Sequence, residues 1–145
     1  MNRSESRMLR RIGLGIVAAA LVLPLRTHAD PAPEEWKAPP RAARKKNPIP
    51  SDETSLAAGK VVFTAQCLSC HGPAGRGDGP AAKDLNPKPR NLSEAAIQSQ
   101  TDGAIFWKIT EGRKPMPTFD KIISENDRWN VINYVRTLAA KGATP

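Results

Sequence analysis

From Ser51 to the C-terminal Pro145 the chain holds five Leu, six Ile, four Val and three Phe, 18 large apolar side chains in 95 residues. That is about 19%, close to the level below which chains stop collapsing. Two Trp, one Tyr and one Met bring the total to 22. A stretch of this length must bury roughly two thirds of its unfolded surface to stand alone. So thin a supply leaves two outcomes: a marginal fold, or one that closes around a large apolar body the chain does not encode.

The pattern of these residues is helical, and the predicted fold class is all-α. Leu56, Gly59 and Phe63 share one face of a first helix that Asp52 can cap. Ser93 opens a short helix over residues 94–99. Thr101 caps a third, with Ile105, Trp107 and Ile109 in its body and Gly112 after its end. Ser124-Glu-Asn-Asp127 resembles a capping box ahead of a last helix, where Ile132, Val135, Leu138 and Ala139 form one stripe and Gly142 is the stop. No alternating strand pattern competes. Residues 72–92 open with a Gly- and Pro-rich run and read as a long ordered loop, which needs something to wrap.

Residues 1–29 read as a signal peptide: Arg3, Arg7, Arg10 and Arg11 precede the apolar run Ile12–Leu25, and Thr27-His28-Ala29 is a small-residue cleavage site. Fourteen residues at about 1.5 Å each fall short of a hydrocarbon core of roughly 30 Å. An uncleaved anchor is the alternative. Residues 30–50 hold six prolines and read as an extended Pro-rich linker. Within it, the basic run from Arg41 to Lys46 is a docking patch or a solvated stretch, and Trp36 packs on the domain or on a partner. The domain proper is 51–145. The formal charge of +8 falls to +4 without residues 1–29, shared equally between 30–50 and 51–145. A near-balanced domain excludes nucleic acid as the expected partner.

The chain's two cysteines and a histidine form Cys67-Leu-Ser-Cys70-His71, the C-x-x-C-H signature of c-type haem attachment. Each thiol adds to one haem vinyl group, and the following imidazole is placed under the iron. Export agrees, because this haem is attached outside the cytoplasm in bacteria. A thiol–disulfide pair would want a thioredoxin-like βαβ context, which is missing, and a zinc site lacks a second Cys or His pair. Beyond residue 29 the chain has one His, His71, and one Met, Met116. Met116 is therefore the obvious second axial ligand. Pro115 and Pro117 flank it, which keeps its loop out of helix and argues against a helical core position.

At this point the domain resembles class I cytochrome c of the bacterial monohaem type, over most of residues 52–140. The likeness rests on Cys67-Leu-Ser-Cys70-His71-Gly72, Gly77-Asp-Gly79-Pro80, the Pro115-Met116-Pro117 loop, and Trp129, Asn133-Tyr134-Val135 and Leu138. It implies about four to five helices around one covalently attached haem c, the N- and C-terminal helices crossing beside it. Gly59 and Phe63 would meet Tyr134 or Leu138, Gly59 permitting close approach. The resemblance also implies that His71 donates its other ring nitrogen to a proline carbonyl in the next loop. Pro80 matches that position best, with Pro87 and Pro89 as alternatives. Leu85, Trp107, Phe119 and Trp129 are candidates to wall the haem, each equally suited to core packing. Arg90 is placed to pair with a haem propionate or to stand in solvent.

The reading that follows is a periplasmic one-electron carrier, not an enzyme, passing electrons between redox partner proteins. His/Met ligation raises the potential and leaves no open iron position. One alternative is an electron-entry subunit of a larger dehydrogenase or respiratory complex, which the Pro-rich extension with Trp36 favours. A gas- or peroxide-reactive haem protein would need Met116 to leave the iron, and the sequence supplies no distal His.

Overall fold

Two helices crossing at a glycine organise the chain. The computed structural model describes residues 36–139, so the expected signal peptide and the stop at Gly142 lie outside the described residues. Helix α2 (Glu53–Gln66) starts where the Asp52 carboxylate accepts the Ser55 amide, and α6 (Glu125–Arg136) starts where the Ser124 hydroxyl accepts the Asp127 amide. Their contact is the most extensive between any two helices. It is possible because Gly59 has no side chain: a Cβ there would fall on the Asn130 carbonyl and lie 2.9 Å from Tyr134 Cβ. The Phe63 and Tyr134 rings then meet at 5.2 Å, as the family resemblance implied.

Helix α5 (Asp102–Glu111), capped by Thr101, lies against α6. Four one-turn pieces complete the helical set: α1 (Pro40–Ala43), α3 (Leu68–His71), α4 (Ala95–Gln98) and a 3-10 turn at Ala82–Asp84. Six α-helices are thus present among the described residues, and no strand. Ser93 does not cap α4. Its amide and hydroxyl both go to the Asn91 side chain, and Glu94 takes the cap position.

The apolar side chains gather in two clusters. Ile105, Phe106, Trp129 and Ile132 form one, with Ile49, Ile97 and Ile109 around it. Phe63, Val131 and Val135 form the other, joined by Cys67, Leu68, Leu92, Ile109 and Leu138. In the first, the Phe106 and Trp129 rings stack at 3.9 Å, and only 2% of Trp129 is accessible. Trp129 is thus a core residue wedged between α5 and α6. Trp129→Ala is expected to cost about 3–5 kcal/mol, read as a lowered midpoint in denaturant unfolding.

The expectation of an extended linker over 30–50 is corrected for its described part. Residues 36–50 form a strap across α5 and α6. Trp36 meets Trp107 at 6.3 Å, with the Lys108 ammonium 5.5 Å over its ring. Thr101 Oγ1 donates to the Ala43 carbonyl. The Asn47 amide donates to Asn133 Oδ1 at 2.8 Å, and the Asn133 amide donates to the Ile49 and Pro50 carbonyls and to Ser55 Oγ. Outside the single turn of α1, the prolines keep this stretch from forming regular helix. The carbonyls left free along that backbone are what α5 and α6 bind.

Candidate haem site

The attachment motif sits on a single turn. Helix α2 ends at Cys67, which also begins α3, and the Cys67 carbonyl accepts the amides of Cys70 and His71 at 3.2 and 2.9 Å. Both thiols are free and half-buried. Cys67 lies against the Phe63 cluster, and burial, with Cys70 adding, pushes its thiol up to about 12. A dithiol redox pair needs the opposite, a depressed thiolate pKa. Nor do three or more His, Cys, Asp or Glu side chains converge as a metal cage among the described residues.

His71 ends α3, and its Nδ1 lies 3.2 Å from the Arg90 carbonyl. With the proton on Nδ1 the ring donates to that carbonyl and leaves the Nε2 lone pair free for a metal. Burial lowers the His71 pKa below its ordinary 6.5, opposed by the Arg90 bond.

The expected partner, the Pro80 carbonyl, is corrected to that of Arg90, and the loop explains why. Its first limb is spent on the motif turn itself: the Gly77, Gly79 and Ala81 amides donate to the His71, Cys70 and Ser69 carbonyls. Gly72 makes this turn with φ 75°, in space a Cβ would share with the Asp78 carboxylate. Pro80 is left exposed at the bend. The second limb returns beneath the first, with the Leu92 amide on the Gly75 carbonyl, and carries Arg90 past His71. Arg90 therefore contributes its backbone, while its side chain is exposed.

Met116 sits at the end of α5. After Gly112 the chain forms a tight turn in which Arg113 and Met116 exchange amide–carbonyl bonds at 3.0 and 2.9 Å. Thr118 Oγ1 donates to the Thr110 carbonyl, and the Phe119 amide to the Ile109 carbonyl. Ile109 packs into both apolar clusters, including the one that holds Cys67, and so links the methionine turn to the attachment turn. Met116 itself is half-buried. Phe119 is buried, Leu85 and Trp107 are half-buried, and Trp107 spends one side of its ring on Trp36.

Arg128, a residue sequence reasoning passed over, ties this turn to α6. Its guanidinium is buried, 5.1 Å over the Phe106 ring, and bonds Asp120 at 3.1 Å. Its place four residues before Ile132, on the apolar stripe, was the available signal. Lys121 and Arg128 together hold the exposed Asp120 carboxyl below its ordinary 3.8. That contribution is present above the carboxyl's unfolded value and is lost as pH falls through the lowered one. Asp120→Asn is expected to remove this step from the acid-unfolding profile: the variant should be less stable than the parent near neutral pH, and the two should converge once the parent's carboxyl is protonated.

The residues present fit a covalently held haem: two free thiols on one turn, an imidazole with Nδ1 on the Arg90 carbonyl, and apolar side chains packed beside Cys67. An all-α fold with this turn behind its first long helix defines a class I c-type cytochrome. The family described as "Cytochrome C oxidase, cbb3-type, subunit III" matches residues 54–135, more than half the chain, and the chain belongs to that family of monohaem c-type cytochrome domains. Its function is electron transfer by a haem c, bound covalently through Cys67 and Cys70.

The cytochrome c6 of Chlorolobion braunii is 36% identical over 93 residues, which cover 61% of this chain and 96% of that protein. The cytochrome c6 of Rippkaea orientalis is 34% identical over 82 residues, 54% of this chain and 67% of that protein. Among solved structures, a chain of the Kuenenia stuttgartiensis reducing HAO-like protein complex Kustc0457/Kustc0458 is similar with a TM-score of 0.57 and 29% identity. The similarity covers 64% of this chain, which spans just under half (47%) of that longer one.

Proposed function

We propose that the protein is an exported one-electron carrier of the periplasm whose haem iron is held by His71 and Met116. The observation that carries the reading is the placement of His71: directly after two free thiols, with Nδ1 3.2 Å from the Arg90 carbonyl and Nε2 on the other edge of the ring. The haem supplies a one-electron Fe(III)/Fe(II) couple. The chain's part is to fix its surroundings. The Arg90 carbonyl orients the imidazole, and the turn from Arg113 to Met116 holds the thioether on a backbone pinned at Phe119. Leu68, Leu85, Leu92 and Phe119 limit water. Two protein ligands suit transfer over catalysis, because neither position is left for substrate.

Export is supported by the basic and apolar N-terminal pattern. No helix among the described residues is long and apolar enough to cross a membrane. The deciding experiment expresses the full chain with the haem-attachment machinery, fractionates the cells, and takes the mass and spectra of the product. One covalent haem, a low-spin ferric spectrum with a Met–Fe(III) charge-transfer band, and recovery from the periplasm are expected. A high-spin ferric spectrum would overturn Met116 as ligand, and an unmodified mass would overturn the whole reading.

A second reading has a specific observation behind it. Similarity to one chain of a multi-protein redox complex favours a subunit that feeds electrons to a larger assembly. A stoichiometric partner co-purifying from native membranes would select it over a free carrier.

A further inference from the structure

The strap carries charge that the fold does not use. Residues 36–50 hold five basic side chains and no acidic one. Arg41, Arg44 and Lys46 are exposed, and their side chains make no ion pair or hydrogen bond among the described residues. Lys45 sets its ammonium 5.4 Å over the Phe106 ring. Arg41 and Arg44, three apart, lie on the same side of α1. The opposite side is committed to α5: the Ala43 carbonyl accepts Thr101 Oγ1, and the Ala42 carbonyl lies where a Cβ on Gly103 would be. The backbone of α1 is thus fixed on α5, and the Arg41 and Arg44 side chains face solvent.

Its place in the fold limits what it serves. From Arg41 to Pro50 the side-chain hydrogen bonds and the ring contact go to α5, α6 and the Thr101 cap, and none to the turn from Cys67 to His71. A redox partner has to approach the haem held at that turn. A partner seated on the strap would grip the molecule elsewhere. Basic side chains without internal partners are drawn to an anionic bilayer surface once within a screening length of it.

We propose that Arg41, Arg44 and Lys46 form a docking surface for anionic phospholipid headgroups, seating the α5 side on a bilayer and leaving the haem-attachment turn uncovered. The surface works whichever residue is the second iron ligand. The test takes the purified haem-loaded protein, as the cell processes it, and titrates it with vesicles of phosphatidylcholine alone and with phosphatidylglycerol added. Binding is expected to rise with the phosphatidylglycerol fraction. It should fall as salt shortens the screening length from about 10 Å at 0.1 M to about 3 Å at 1 M. The triple variant Arg41→Gln, Arg44→Gln, Lys46→Gln should bind phosphatidylglycerol vesicles about a hundredfold more weakly, at roughly fivefold per basic residue. Its absorption spectrum and Tm should not change. Binding that ignores the phosphatidylglycerol fraction, or an undiminished triple variant, overturns the proposal. So does a triple variant that loses crosslinking to an acidic protein while neither form responds to lipid, a result that would give the surface to a protein partner.

Discussion

Met116→Ala is expected to lower the reduction potential by a few tenths of a volt, within the roughly 0.8 V span that axial ligands command, and to abolish the Met–Fe(III) charge-transfer band. A thioether is a soft, uncharged ligand that favours the reduced iron. Alanine leaves water or nothing in its place, and the oxidised state gains. No second thioether or imidazole can substitute, because Met116 is the only methionine and His71 the only histidine among the described residues. The turn should survive the change, since its closing bonds are backbone to backbone, Arg113 to Met116 and Phe119 to Ile109. Potentiometric titration and the ferric spectrum read the two effects separately. A potential and a band both unchanged would show that the iron takes its second ligand elsewhere.

Gly59→Ala is expected to destabilise the protein by about 3 kcal/mol or more, although alanine is the better helix former. The propensity gain is at most about 1 kcal/mol. Against it stands a Cβ that would coincide with the Asn130 carbonyl, a backbone atom in the middle of α6 that no rotamer change can move aside. Overpacking of this kind costs roughly 1–3 kcal/mol when side chains absorb it, and here a whole helix must shift. For a domain of this size Tm should fall by on the order of 10 °C or more, as circular dichroism would record. Because Phe63 and Tyr134 meet beside this crossing, a shift of α6 also loosens the cluster behind Cys67. An unchanged Tm would mean that the helices do not cross at Gly59.

Features that depend on local chemistry were legible in the sequence. Asp52, Thr101 and Ser124 cap the helices they precede, because a short oxygen-bearing side chain next to an apolar period has few other uses. The C-x-x-C-H motif was legible for a similar reason, whereas the close approach at Gly59 came from the family resemblance and not from local chemistry. What escaped depends on the path of the backbone. Any of several carbonyls in the long loop suited His71, and only the fold-back through Gly75 and Gly77 selects Arg90 over Pro80. Arg128 was hidden by its charge, since its burial depends on Asp120 and Phe106 arriving from another element. The strap was hidden by its prolines, which mark an extended chain equally well whether it runs free or lies on a surface.

The strap also moves the effective start of this cytochrome upstream of the segment it shares with its family, which begins at residue 54. The Asn133 side chain, 95% inaccessible, spends its amide on carbonyls at Ile49 and Pro50, and Ile49 covers the Ile105–Trp129 face. A polypeptide trimmed to the common core would bare an orphaned carboxamide beside a greasy flank. The unit that packs as one is therefore longer than the stretch the family shares, and the added length roofs the junction of α5 and α6.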